Sequence, residues 1–433
     1  MSTERTVTDL LEERLRQLGV MRVYGAPLGG LQHVPVDDVD LAVLLADADG
    51  RIGHHDGSGR LGAALLDGPV LHLSSQPGGR VPIQTVQSAE QLLEALVDPP
   101  GMTLPGVVAL HLDLDLGAPV ADALVAGHVP ARVPVMTLDP SMSGMDIVAV
   151  VGPGVVRAAA VDGLSDMARK GGIGIVNTWG AKGVERWDSP FHFGTAGLEE
   201  RDFTLAGLAA ADVVITSGLD PDESPLDALG SWVVQDVPPG QLGALCHRWP
   251  PSRTPPERPP LYGAIAAVVT PMYESDGVPL SAPRAALHLS GALPDRGIVV
   301  ADPGRAGFWI ARTFPTSFPG SVCVPATGDA GFAAAAALVC RLEGRPCLAV
   351  SDQVGGTDGL DDTSAAVLEL AESLGLGVAL QLWGPEGSLA SSTAHVELLA
   401  AELDSPVVRI DEVPVLVDDT AGLLDAAGPL LAW

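Results

Sequence analysis

The stretch 146-DIVAVVGPGVVRAAAVDGLSDMARKGGIGIVNTW-179 limits the fold more tightly than any other part of the chain. A continuous apolar run breaks at Gly152-Pro153-Gly154, gives way to a helical pattern, and resumes after Gly171-Gly172 as a second apolar run. Strands without polar alternation are buried on both faces, and two of them joined by a helix lie parallel in one sheet. The same pattern returns at 212-DVVITSG-218, 297-GIVVAD-302, 346-PCLAVSD-352 and 377-GVALQLW-383, with helices predicted over 328–344 and 363–375. The expected class is α/β, built from doubly wound parallel sheets.

At 433 residues the chain exceeds one ordinary core. The expected domains are 1–140, 141–245 and 263–433, with the Pro-rich segment 246–262 as a linker that cannot form helix or central strand. The first block opens on helix 6–19, with Thr6 or Thr8 as N-cap and Gly19 as its stop, and carries a Ser88/Gln91 capping-box pattern further on. A net charge of −30 repels phosphate backbones and anionic lipid, so neither nucleic acid nor a membrane surface is an expected partner. Cys246, Cys323, Cys340 and Cys347 show no CxxC spacing and read as core thiols of a reducing compartment. The charged N-terminal helix pattern has no secretory core, and no apolar run is long enough for a bilayer. A cytoplasmic location is the expectation.

Taken together, 10-LLEERLRQLGVMRVYGAPLGGL-31, 106-GVVALHLDLDLGAP-119, 150-VVGPGVVRAAA, 178-TWGAKGVERWDSPFHFGTAGLEERDF, 301-ADPGR and 326-ATGDAGFAAAAAL resemble the thiamine-diphosphate (ThDP) enzymes of the acetohydroxyacid synthase, pyruvate oxidase and 2-oxoacid decarboxylase family. The resemblance implies three doubly wound parallel-sheet domains in the arrangement of ThDP-dependent enzymes. These are a shortened pyrimidine-binding-like domain, a central Rossmann-like domain and a diphosphate-binding-like domain. It also implies a homodimer or homotetramer, since the family's sites form between subunits.

The resemblance further implies site residues. Gly328 and Gly331, at the start of a Gly/Ala-rich helix, fall where backbone N–H groups approach a diphosphate. Asp352, at the end of an apolar strand, falls where the family holds Mg²⁺. The family's Gly-Asp-Gly is here Ser351-Asp352-Gln353, and Gly384-Pro385 stand where the second metal ligand, an Asn, is expected. The acid expected in an hE-x-x-A-x-x-x-A pattern is missing: the stretch 39–75 has no Glu, which reads as deletion of a helix, a strand and their loop. His54, His55 and Asp56 are the substitute catalytic candidates, and Asp47 and Asp49 the remaining acids.

These departures lead to the expectation of no cofactor, with ThDP and Mg²⁺ disfavoured. The expected role is a pseudo-enzyme or an accessory subunit, which includes an intact ThDP enzyme as a possible partner. The alternative is a divergent or cofactor-independent enzyme that reuses the cleft for 2-oxoacid decarboxylation or carboligation. Gly152-Pro153-Gly154 is not the G-x-G-x-x-G dinucleotide pattern, and nucleotide binding there is disfavoured.

Overall fold

The computed structural model describes residues 5–55, 60–74, 82–96, 107–120, 135–220, 229, 233–252, 254–325, 330–352 and 359–432, except the side chains at 54, 55, 233 and 234. The chain forms two compact units, Met1–Pro134 and Val135–Trp433.

In the first unit, helix α1 (Val7–Gln17) starts where its cap dictates. The Thr6 side chain accepts the Asp9 N–H while the Asp9 carboxylate accepts the Thr6 N–H at 2.8 Å, and Leu10, Leu11 and Leu15 form the buried stripe. Helix α2 (Val39–His55) follows, with Asp38 accepting the Leu41 N–H at 2.8 Å at its start. Helix α3 (Ala89–Ala95) is capped by Ser88, but Gln91 reaches back to the Gln87 N–H rather than to that of Ser88, so the capping box is incomplete.

Strands β1 (Arg22–Gly25), β2 (Gln32–Val34), β3 (Gly62–Leu66), β4 (Val70–Ser74), β5 (Gln84–Val86) and β6 (Val107–Leu112) form one sheet in the order β2-β1-β3-β4-β6-β5. Here one strand departs from the expected parallel order. β4 runs antiparallel to both β3 and β6. The turn from β3, Asp67-Gly68-Pro69 with Gly68 at φ +86°, is far too short for the crossover that a parallel pair requires. The expected loss of a helix after β2 is also corrected, because α2 occupies that place. Its backbone presses on the hairpin so closely that a Cβ at Gly62 would lie 1.7 Å from the Ala46 carbonyl oxygen.

The second unit holds two fully parallel sheets. The first contains β7 (Ile147–Val151), β8 (Gly174–Thr178), β9 (His192–Ala196), β10 (Val213–Ser217) and β11 (Val233–Asp236), ordered β11-β10-β7-β8-β9. Helices α4 (Gly154–Arg157) and α5 (Val161–Gly171) follow β7, broken apart at Ala159 with φ +49°. Short helices α6 (Asp202–Leu205) and α7 (Leu242–Leu245) follow β9 and β11. The second sheet contains β12 (Leu280–Ser281), β13 (Ile298–Ala301), β14 (Val322–Cys323), β15 (Cys347–Asp352), β16 (Ala379–Gly384) and β17 (Arg409–Leu416), ordered β12-β17-β16-β15-β13-β14. Its helices are α8 (Pro260–Glu274), α9 (Ala282–Ala292), α10 (Arg305–Thr313), α11 (Phe332–Leu342), α12 (Asp362–Ser373), α13 (Ser392–Leu403) and α14 (Ala421–Ala427). All four cysteines are free thiols.

These two sheets belong to one unit for identifiable reasons. Helix α8 enters both cores: Leu261 packs with Val176 and Phe193, and Val269 with the core around Trp309. Arg312, on α10, donates to the Thr195 carbonyl at 2.7 Å and to Asp202 Oδ2 at 2.6 Å, and pairs with Glu199. All three charged side chains are almost completely buried. Burial pushes Asp202 well above the usual carboxylate range and lowers Arg312 to about 9, so the guanidinium stays charged at neutral pH. A buried ion pair adds little net stability, yet removing one partner strands the others. Arg312→Met is therefore expected to lower the unfolding free energy by about 3–5 kcal/mol, read by urea denaturation. A loss within experimental error would show that the triad does not hold the sheets.

Candidate functional site

In an open parallel sheet the chain leaves a crevice where consecutive strands depart to opposite sides, and ligands bind at the carboxyl ends there. In the second parallel sheet this point lies between β13 and β15, since β14 pairs on the far side of β13. Each of these two strands ends in a carboxylate. Asp302 follows β13, and Asp352 is the last residue of β15.

Each carboxylate serves a helix N-terminus. Asp352 accepts the Arg305 N–H at 2.6 Å and the Ala306 N–H, at the first turn of α10. Asp302 accepts the Ala333 N–H at 2.7 Å, at the first turn of α11, and the Ser351 hydroxyl at 2.6 Å. The helix dipole favours an anion at both places. Gly304, at φ +146°, allows the approach: a Cβ there would stand 2.4 Å from Asp352 Oδ2. Burial pushes Asp302 up to about 6 despite its donors, and raises Asp352 in the same direction.

Of the sequence candidates, Asp352 lies on this edge, and Gly331 is the N-cap of α11 with φ +96°. Gly328 and Asp56 lie outside the described residues. His54 and His55 end α2 in the first unit, with side chains outside the described set. Asp47 and Asp49 are buried and paired: Asp47 with His72 Nε2 at 2.9 Å, and Asp49 with the Tyr24 hydroxyl at 2.9 Å and Arg60. Ala42 and Ala46 on α2 match the spacing of the hE-x-x-A-x-x-x-A pattern and put the apolar Val39 at its acid position. Asp361 accepts the Ser364 N–H at 2.8 Å and caps α12. The sequence reading passed over Asp302, although it shows the same signal as Asp352, an apolar run that stops at Asp.

The Gly152-Pro153-Gly154 turn spends its donors internally. The Gly152 N–H goes to the Ser217 carbonyl at 3.0 Å and the Gly154 N–H to that of Gly218 at 2.8 Å. A Cβ at either glycine would fall within 2.6 Å of the 217–219 backbone, so these glycines serve the close approach of two loops.

The family model described as the thiamine pyrophosphate enzyme central domain matches residues 144–235. Among 246 solved chains that match, one from Mycobacterium smegmatis, provisionally described as a thiamin diphosphate-dependent enzyme, aligns over 96% of this chain and 100% of its own, with TM-score 0.62 and 16% identity. No curated protein sequence matches. Residues 144–235 thus match the central domain of the thiamine pyrophosphate enzymes, and the chain has a fold similar to that of the Mycobacterium smegmatis chain. These matches overturn the expectation of no cofactor, because both point to ThDP.

The edge suits that group in kind and in place. Two carboxylates at the switch point are the hard oxygen donors that Mg²⁺ takes. Among the described residues, no group of three or more His, Cys, Asp or Glu completes a metal's ligand set. No helix among them is long and apolar enough to cross a membrane.

The raised value of Asp302 gives a pH test. Its folded value lies above the unfolded one, so the folded state holds the extra proton between about pH 4 and 6 and loses stability as pH rises through that window. Asp302→Asn can still accept from Ala333 and donate to Ser351, but does not titrate. Between about pH 4 and pH 6 the wild type is expected to lose stability relative to the variant, by at most about 1.4 kcal/mol per pH unit. Parallel stability curves in urea titrations would refute this.

Proposed function

We propose that the chain is a divergent enzyme of the ThDP-dependent decarboxylase–carboligase type, acting on a 2-oxoacid or a related carbonyl compound. The observation that carries this reading is the pair of carboxylates, Asp302 and Asp352, at the switch point of a sheet with the ThDP-enzyme fold. Asp352 would hold the divalent cation, because each carboxylate oxygen keeps a lone pair beyond the N–H it accepts. Gly331, at φ +96°, opens α11 beside Asp302, and a Cβ there would stand 2.8 Å from Thr363 Cγ2, so this glycine admits the start of α12 and leaves the anion position to Asp302. Bound ThDP supplies an electron sink for the charge left when a bond beside a carbonyl breaks. Assembly as a homodimer or homotetramer belongs to this reading and rests on the family resemblance.

A second reading is favoured by two observations: both Asp352 oxygens already engage helix amides, and Val39 replaces the acid on α2. In that reading the chain is a non-catalytic subunit that accompanies an intact ThDP enzyme.

Calorimetric titration of the full chain with ThDP and Mg²⁺ separates the two. Saturable binding is expected, weakened by about tenfold or more, or about 1.4 kcal/mol, in Asp352→Ala. A folded wild type that takes up no ThDP would overturn the enzyme reading in favour of the subunit reading.

A further inference from the structure

The chain carries 24 basic side chains, of which only two, Lys170 and Lys182, are lysines. Arginine supplies every other cation, including the buried partner of Glu199 and Asp202. Arginine keeps its proton at neutral pH even when buried, whereas a desolvated lysine can lose it. Lys182 is one of the two exceptions, and it is buried at 5% exposure.

Lys182 follows the short turn Trp179–Ala181 after β8, and its Nζ reaches Thr195 Oγ1 at 3.4 Å. Among the described residues no carboxylate lies within 4 Å of it, because both buried acids nearby on the chain, Glu199 and Asp202, are taken by Arg312. Lys182 instead borders a cavity of about 370 Å³ walled largely by apolar and aromatic side chains, among them Ile265, Val269, Tyr273 and Phe314. Trp187 and Leu287, 46% and 36% exposed, also line it.

We propose that this cavity is a carbonyl-binding site, in which the Lys182 amine forms a reversible imine with an aldehyde or ketone carried on an apolar body. The nitrogen lone pair attacks the carbonyl carbon and the C=O π pair moves to oxygen. A proton passes from nitrogen to that oxygen, and loss of one water leaves C=N. No oxidant, reductant or metal is consumed. Expelling that water from an apolar cavity favours the imine, and the apolar wall holds the ligand's body.

The electrostatics agree. Burial, aided by the nearby Arg312 charge, lowers Lys182 to about 7, so a large fraction of the amine is neutral and nucleophilic at neutral pH. The other titratable groups on the cavity are His192, held neutral by burial at about 3, Arg312 with its two acids, and Tyr262 and Tyr273, the latter raised by burial and donating to the Thr313 carbonyl. None of these offers the ammonium a free counter-charge.

The site is separate from the sheet edge. Arg312 to Pro315, at the carboxyl end of α10, line the cavity, while Asp352 caps the amino end of that nine-residue helix, about 13 Å away. The inference does not depend on ThDP binding, and its test is run without ThDP or Mg²⁺.

The full chain is treated with 2-naphthaldehyde and cyanoborohydride, and the reduced adducts are mapped by peptide mass spectrometry. Lys182 is expected to be labelled about tenfold faster than Lys170, as a deprotonated amine in an apolar pocket should be. Its labelling should slow as pH falls below 7, and Leu287→Trp, which narrows the cavity, should slow Lys182 but not Lys170. Lys182→Arg should keep the Lys170 adduct and lose the other. Equal or faster labelling of Lys170 or of the N-terminal amine would overturn the proposal. So would 2-naphthoate binding with no adduct at Lys182, which would mark an ion-pairing site. The wild-type pH profile decides the question even if a variant fails to fold.

Discussion

The second unit is organised around one guanidinium. Arg312 sits at the end of α10 and bonds the Thr195 carbonyl and both buried acids of the neighbouring sheet's 199–202 turn. That contact fixes how the two parallel sheets meet. Replacing such a group with a packed hydrophobe can be neutral, so its value lies in specifying one geometry rather than in bulk stability. It also has an electrostatic effect on its surroundings. By engaging Glu199 and Asp202, it leaves the Lys182 amine, among the described residues, with only the Thr195 hydroxyl, at 3.4 Å.

A related economy governs the sheet edge. The amides at the starts of α10 and α11 are engaged by carboxylates of the chain itself, Asp352 and Asp302. These acids therefore occupy the anion position at each helix end and remain oxygen donors toward a cation. The Gly152-Pro153-Gly154 turn shows the other use of such glycines, where the amides and the missing Cβ atoms serve the approach of the 217–219 backbone. In a linear sequence a glycine that cradles a ligand and one that admits a neighbouring loop look alike. They differ only in what a Cβ would strike.

That ambiguity explains which parts of the fold were legible in the sequence. Strands 147–151, 213–217, 298–301 and 347–352 and the caps Thr6 and Ser88 announce themselves through local chemistry, a run of apolar residues or a hydroxyl before a helix. Helix α2 did not, because its glycines at 50 and 53 argue against helix locally and are required only by contacts with the β3–β4 hairpin and Arg60. The reversed strand β4 was equally hidden, since its apolar pattern fits either direction and the Asp67-Gly68-Pro69 turn alone decides. Asp352 could be read from its strand, whereas its N–H donors lie 46 and 47 residues away in sequence.

Among the described buried groups of the second unit, burial shifts Asp302 to about 6, Lys182 to about 7 and Glu402 to about 8. Asp302 has the Ala333 amide and the Ser351 hydroxyl, and Glu402 takes the Gln381 amide on both oxygens at 3.0 and 3.1 Å. Those two are satisfied within the fold, as buried polar groups generally are. Lys182 has one long contact and borders a cavity. That places Lys182 apart from the other two as a group with bonding capacity left over toward the cavity. A ligand that bonds to the neutral amine does so without bringing a second charge into an apolar cavity.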